Sequence, residues 1–256
     1  MAFDMNNFVI DRIIRGVALS QKDDSVLFSI NQIQNASLNC ASESTDAVDA
    51  MGTPIATFYR AKSAEFSAEN ALFDMNLMAT QLGTTKKVAS SASKVVAPAM
   101  ESFTAEGGKY VLKHAPKAAP TEIYAINGDS TFGVKYVKET SASATAFAYA
   151  EADHSITLPT DVADGTEMFV MYEYETENAV EVVNSAKNFP VGCKFVMEVL
   201  GCDVCDQTNL VYAYVIFNNA KLSPDFDWSI ATDGTHPFSM KAQQDLNFRS
   251  LAAQAA

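Results

Sequence analysis

From Tyr110 onward the sequence is cut into short apolar segments of strand length with turn residues between them. That spacing restricts most of the chain to a β fold. Glu122–Ile126 and Thr131–Val137 flank Asn127-Gly128, a dipeptide suited to the positive φ angles of a tight hairpin turn. Phe147–Tyr149, His154–Leu158 and Glu167–Tyr174 continue the pattern, and Asp164-Gly165 supplies a further turn. Turns recurring at about 8 to 12 residues mark a small sandwich, so residues 109–182 are expected to form an inserted Ig-like β module. Val191–Leu200 and Leu210–Phe217 are apolar enough for central strands, and Asp225–Ala231 alternates as a strand does. The tail, Gln243–Ala256, is weakly patterned.

The first third is mixed. Ser25–Gln32 reads as a strand and Ala36–Cys40 as its short partner. Glu43–Pro54 is polar and ends in Gly and Pro, which predicts a loop. Ile55–Phe66 resumes an extended pattern with Phe58 and Tyr59 on opposite faces, so a strand packed on both sides is expected. One helix follows. Ser67 fits its N-cap and Glu69 its first turn. Leu72, Met75, Ala79 and Leu82 form its apolar stripe, widened by Phe73 and Leu77, and Gly83 is the C′ stop. Thr84–Pro98 reads as a connection.

With 256 residues, 48% of them hydrophobic and 19% charged, the chain can bury a core and is too apolar for intrinsic disorder. Its 18 Lys and Arg against 31 Asp and Glu give a net charge of −13. Such a field disfavours gripping nucleic acid, which needs Lys and Arg to replace counterions. The charge is uneven: residues 139–186 hold ten acids and no Lys or Arg, and residues 86–138 hold eight Lys against four acids. A solvated face explains this, as does an acidic surface that repels polyanions or meets a basic partner. No apolar run approaches the roughly 18 residues of a membrane span. The first sixteen residues lack the basic and apolar regions of an export signal. No membrane association is expected.

Signatures of chemistry are missing. His114, His154 and His236 fit no metal-binding spacing, and no nucleophile elbow or dinucleotide loop occurs. Glu106-Gly107-Gly108-Lys109 is followed by Tyr110 where a phosphate loop places Ser or Thr. Cys202-Asp-Val-Cys205 is a CxxC between strand-like flanks. Cys40, Cys193, Cys202 and Cys205 are most simply reduced, buried thiols; a disulfide, or a metal site in which Cys193 joins the CxxC pair and His236 or His154 completes it, stays open. Asp203 and Asp206 flank that pair, and Asp225 and Asp227 sit at i and i+2, which alternation on an exposed strand explains. Trp228 is read as a core or interface anchor. No catalytic, cofactor-binding or metal residue is assigned, no cofactor is expected, and the chain is not expected to be an enzyme.

The stretch ESTDAVDAMGTPIATFYRAKSAEFSAENALFDMNLMATQLG resembles the corresponding part of the major tail (tail tube) proteins of tailed bacteriophages. The stretch NLVYAYVIFNNAKLSPDFDWSIATDGTHPFSMKAQQ, with its Asp233-Gly234-Thr235-His236-Pro237 turn, is similar to their closing strands. The resemblance covers residues 20–83 and 188–245. It implies a tail-tube-like β-sandwich or barrel with one flanking helix, built from residues 1–108 and 183–256 and interrupted by the 109–182 module. It also implies copies joined into stacked, hexameric rings around a hollow tube in the virion tail. DNA would pass through the lumen without sequence-specific binding, and sheath, tape measure or other tail proteins would be partners. The polar stretch 41–54 would order against the adjacent ring, and the negative charge would suit a lumen that does not hold DNA. A capsid decoration or head-tail completion protein is the alternative. So is a carbohydrate or cell-surface binding module using Tyr124, Tyr136, Phe147, Tyr149, Phe169, Tyr172 and Tyr174.

Overall fold

The computed structural model describes residues 7–204, 206–243 and 248–254. In chain order the first strands are β1 (Phe8–Ser20), β2 (Val26–Ile30), β3 (Ile33–Val48) and β4 (Pro54–Asn70), followed by the helix α1 (Met75–Gln81). Next come β5 (Lys87–Val88), β6 (Val95–Thr104), β7 (Lys109–Val111), β8 (Glu122–Ile126), β9 (Phe132–Glu139), β10 (Ala146–Ala150), β11 (Ser155–Thr157), β12 (Glu167–Thr176) and β13 (Val180–Glu181). The chain closes with β14 (Gly192–Asp203), β15 (Asp206–Leu222), β16 (His236–Ala242) and β17 (Phe248–Gln254). The fold is mainly β and sandwich- or barrel-like. Two compact units share the chain: residues 1–86 with 182–256, and residues 87–181.

In the first unit the strands run β2-β1-β14-β15-β16-β4-β3, and β17 also pairs with β15. Because β17 takes Val211–Phe217 and β16 takes Ala220–Leu222, one edge of the long β15 serves two partners in succession. Although β2 and β3 end the path on opposite sides, only Asn31 and Gln32 separate them in sequence. Phe28 of β2 meets Phe238 of β16 at 6.5 Å between ring centroids, so the sheet rolls on itself. Period-2 alternation sends Phe66, Ala68, Phe195, Met197, Val199, Phe217, Phe238 and Met240 to the inner face. Phe66 touches the rings of Phe195, Phe217 and Phe238 at 5.6–6.0 Å. Each such side chain contributes roughly 1.5–3 kcal/mol by leaving water. Gly16 is required by close approach, because a Cβ there would lie 2.8 Å from the Phe195 ring and 2.9 Å from Ile33.

Leu77 of α1 is fully buried against this core. The helix is shorter than its periodicity suggests. Ser67 is not its cap: it lies within β4, opposite Ser37 and Ser239. Alternate burial of Ala64, Phe66, Ala68 and Asn70 carries β4 through Asn70, so the two-residue period wins over the helical one. Asp74 is the cap, accepting from the amides of Asn76 (2.9 Å) and Leu77 (2.7 Å). Gly83, at φ +65°, ends the helix as expected. Its N–H donates to the Thr80 carbonyl and that of Thr84 to the Ala79 carbonyl, a Schellman close.

The second unit is a seven-stranded sheet ordered β6-β12-β8-β9-β10-β11-β7, with β5 and β13 as a separate pair. Its end strands face each other across the core: Phe103 of β6 stacks on Tyr110 of β7 at 3.7 Å. Ile123, Phe147, Ile156, Met168 and Val170 are fully buried between them. Glu101 is buried as well and satisfied locally. It accepts from the hydroxyls of Tyr110 (2.7 Å) and Tyr172 and from the Lys113 amide (3.2 Å). Residues 87–108 belong here, whereas the sequence placed the module boundary at 109. The cause is β6, which pairs with β12 from Val95↔Thr176 to Thr104↔Glu167.

Further expectations change. Glu43–Pro54 is not all loop but the outer end of a hairpin, since β3 continues to Val48, β4 begins at Pro54 and only residues 49–53 connect them. Thr84–Pro98 contains β5 and the start of β6. Asp225–Ala231 forms no strand. Phe8–Ser20 and Phe248–Gln254 are strands that the pattern did not reveal.

Candidate self-assembly surfaces

The β3–β4 hairpin leaves the first unit's core. At its base, Ala64, Phe66 and Ala68 are buried; from residue 34 to residue 63 every residue is exposed. Beyond the Cys40↔Ala64 pair the ribbon continues to Val48↔Pro54, a reach of about 25 Å at strand rise. Its tip is well specified. Asp49 Oδ1 accepts from the amides of Met51 (2.8 Å) and Thr53 (2.9 Å), and Gly52 takes φ +83°. Those donors hold the Asp49 carboxyl below its ordinary range. Ala61, at φ +43°, is an extra residue where Ser42↔Lys62 steps to Glu43↔Arg60, a bulge that increases the ribbon's twist.

Phe58 and Tyr59 do lie on opposite faces, but neither is packed. Phe58 is 55% and Tyr59 72% exposed, with Ile55 at 72% and Met51 at 88%. Phe58 lies opposite Thr45, and Tyr59 opposite Ser44. An isolated two-stranded ribbon is marginal in water, and large apolar side chains on both faces suit a surface that is covered in an assembly.

Sheet edges offer a second surface. β3 pairs only with β4, so its other edge is open among the described residues. Among the described residues β1 pairs with β2 only over Gly16–Leu19, which leaves the matching edge of Phe8–Arg15 open there, where Val9 and Ile10 are half exposed. Open edges of this length invite pairing with another chain.

The face of the first sheet opposite its core carries alternating charge. Arg15 Nε donates to Glu198 Oε2 at 2.7 Å, and Tyr214 donates to Glu198 Oε1 at 3.0 Å. The Glu198 carboxylate raises the pKa of both partners. Lys241 approaches Glu65 at 3.8 Å across β16 and β4. Glu69 accepts from Asn35 (3.3 Å) and Thr235 (3.1 Å).

His236 secures α1 to the sheet. It is 1% exposed, and its ring spans both ends of the helix. Gln81 Nε2 donates to the Pro237 carbonyl (3.2 Å), which leaves Gln81 Oε1 to accept from His236 Nε2–H (2.8 Å). Nδ1 is then the acceptor for the Asp74 amide (3.5 Å). Phe73 stacks on His236 at 5.1 Å and on Trp228 at 4.2 Å. Trp228 is therefore a packing residue on a non-strand segment. Burial lowers the pKa of His236 and keeps it neutral.

The residues weighed for chemistry are scattered. His114 stacks on Tyr174 at 4.0 Å and His154 lies 3.3 Å from the Tyr149 hydroxyl, both in the second unit. Cys193 is buried, which pushes its thiol up to about 11. Cys40, on the arm, is exposed rather than buried, Cys202 is a free thiol at intermediate depth, and its CxxC partner Cys205 lies outside the described residues. Among the described residues no three His, Cys, Asp or Glu side chains converge as metal ligands. No helix among them is long and apolar enough to cross a membrane, which says nothing of membrane crossing by strands. Of the aromatics considered for surface binding, Tyr136, Phe147 and Tyr172 are core.

Of the arm, the sequence reading captures Ile55–Phe66 as a strand but not its partner over residues 43–48, because residues 34–63 bury nothing. The remaining signal was its Ile-Ala-Thr-Phe-Tyr stretch of β-prone residues.

A comparison with curated proteins returns no match. The family model of the YomU/Tube protein family, a family of phage-derived tube proteins, matches residues 8–253, from the first described strand through most of the last. An exposed arm, open sheet edges and a match over nearly the whole length agree: this chain belongs to the YomU/Tube protein family and is a phage tail tube-like protein.

Proposed function

We propose that the chain is a structural subunit of a phage tail tube. Its copies close into rings, six to a ring by the tail-tube resemblance, and the rings stack into a hollow pipe for DNA. The observation that carries this reading is the β3–β4 arm. It extends about 25 Å from a folded core with its large apolar side chains in water, and a neighbouring copy is the surface that covers it. The open edges of β3 and of Phe8–Arg15 join sheets between adjacent copies, which removes edges that would otherwise aggregate.

We assign the charged face of the first sheet to the lumen. Arg15, Lys194, Lys221 and Lys241 alternate there with Glu65, Glu69 and Glu198. Interspersed signs give no extended cationic track for a phosphate backbone, so DNA slides without being held. The chain's acid excess is carried largely elsewhere: the second unit alone has fourteen acids against seven Lys. Sheath, tape measure or other tail proteins are the remaining partners, and the protein acts without catalysis.

Negative-stain electron microscopy of the purified chain over a concentration series tests the reading. Hollow rods or rings with a central channel are expected. Particles that remain single at every concentration would overturn it, and a capsid decoration role would then be the better account.

A further inference from the structure

In an antiparallel sheet with one face on a core, the other face ordinarily carries polar side chains. The second unit departs from this. Met168, Val170 and Tyr172 of β12 face its core, so Phe169, Met171 and Glu173 face the opposite way. On β6, Ala99, Glu101 and Phe103 are inward and Met100 is outward. Met100 and Met171 lie directly opposite each other across the two strands, 65% and 53% exposed. Phe169 sits one pair further along, opposite Tyr124 of β8. Phe132 packs on both, at 5.0 Å and 5.4 Å, and is 61% exposed. The result is a continuous apolar stripe across four strands.

The border of the stripe is acidic. Glu167, Glu173 and Glu175 occupy outward positions of β12 and are all exposed. Lys135, on the same face, is tied to Glu122 at 3.0 Å and adds little free positive charge.

We propose that this face docks a cationic amphipathic segment of another protein, one with Leu-, Phe- or Met-type anchors flanked by Lys or Arg. Three features select that occupant. With Met100, Met171 and Phe132 as its most exposed members, the stripe is on the order of a few hundred Å², the scale of functional surface patches, and falls short of the ~800 Å² per partner of a stable dimer interface. A second copy would set one glutamate border against another, and an anionic lipid or nucleic acid surface would be repelled in the same way. The facing methionines are unbranched and polarizable, so they repack around differing apolar anchors. The inference does not depend on tube formation.

The test uses the full chain and fluorescence anisotropy with a labelled synthetic peptide of Leu and Lys in amphipathic register; a Leu/Glu peptide of the same pattern is the control. The Leu/Lys peptide is expected to bind. Met100→Ser with Met171→Ser, which leaves net charge unchanged, should weaken binding at least about tenfold. Glu173→Gln with Glu175→Gln should weaken it and flatten its salt dependence. Far-UV circular dichroism checks each variant, and Phe132→Ser replaces the methionine pair if that pair disturbs the fold. Equal binding by the serine variants would assign the effect to the general acidic field and overturn the proposal. Equal binding of the Leu/Glu peptide would also overturn it. So would concentration-dependent self-association that the serine variants abolish, because the occupant would then be a second copy.

Discussion

Replacing Phe58 and Tyr59 together by Ser should uncouple folding from assembly. Both side chains lie on the ribbon beyond the core, 55% and 72% exposed. Their removal should change the subunit's own stability by no more than a surface substitution does, within about 0.5 kcal/mol. Burial in a neighbour is another matter. A fully buried large apolar side chain is worth roughly 1.5–3 kcal/mol. Scaled by the area still exposed, each ring would contribute about 1–2 kcal/mol on assembly. Losing both costs about 3 kcal/mol per contact, or roughly a hundredfold in its association constant. The assay is the critical concentration for polymerisation, followed by light scattering and checked by microscopy, with circular dichroism and a thermal melt as folding controls. The expected result is an unchanged melt and a critical concentration raised by a hundredfold or more. An unchanged critical concentration would refute the assignment of the arm as an assembly element.

The helix lock should respond to acid. Burial lowers the His236 pKa below its unfolded value, so its contribution is complete above about 6.5 and is lost progressively as pH falls from there through the lower folded value. The melting temperature should decline with acidification more steeply in the native protein than in His236→Gln. Gly83→Ala should destabilise the first unit by about 2 kcal/mol or more in a denaturant titration, because φ is +65° and a Cβ would meet the Phe189 backbone at 2.3 Å. In the second unit, burial and the Glu101 hydrogen bond push the Tyr110 hydroxyl up to about 12. Ultraviolet titration of Tyr110→Phe should therefore lose amplitude near pH 12 and not near pH 10. For the lumen assignment, Glu65→Lys with Glu198→Lys in assembled phage should slow genome ejection while tubes still form.

Much of the fold was legible where burial alternates along the chain. β8, β9, β12, β14 and β15 follow the apolar segments closely, and the Asn127-Gly128 signal does mark a turn, closed by the Asn127 amide on the Thr131 carbonyl at 2.9 Å. Misreadings arose where two periods competed or where no burial occurs. Leu72, Met75, Ala79 and Leu82 satisfy a helical spacing, but ladder pairing of Ser67 and Glu69 claims the expected first turn for β4. Asp225–Ala231 alternates without pairing, since Trp228 is drawn to Phe73 instead. β3 is written in Ser, Asn, Thr and Ala, and nothing in such a stretch distinguishes an exposed strand from a loop. The His236 lock joins residues 155 positions apart in sequence, so no local pattern announces it.

The arm also bears on how copies are stored before use. If the arm seats on a neighbouring copy, as proposed, a lone subunit keeps Phe58 and Tyr59 in water until it is incorporated, and premature clumping is the hazard of synthesis. The arm's own charge offers little protection: Glu43, Asp46 and Asp49 are offset by Arg60 and Lys62, and Glu43 lies directly opposite Arg60. Under the proposed assembly the brake falls to the subunit's net charge of −13, and raising the ionic strength is expected to lower the concentration at which assembly begins.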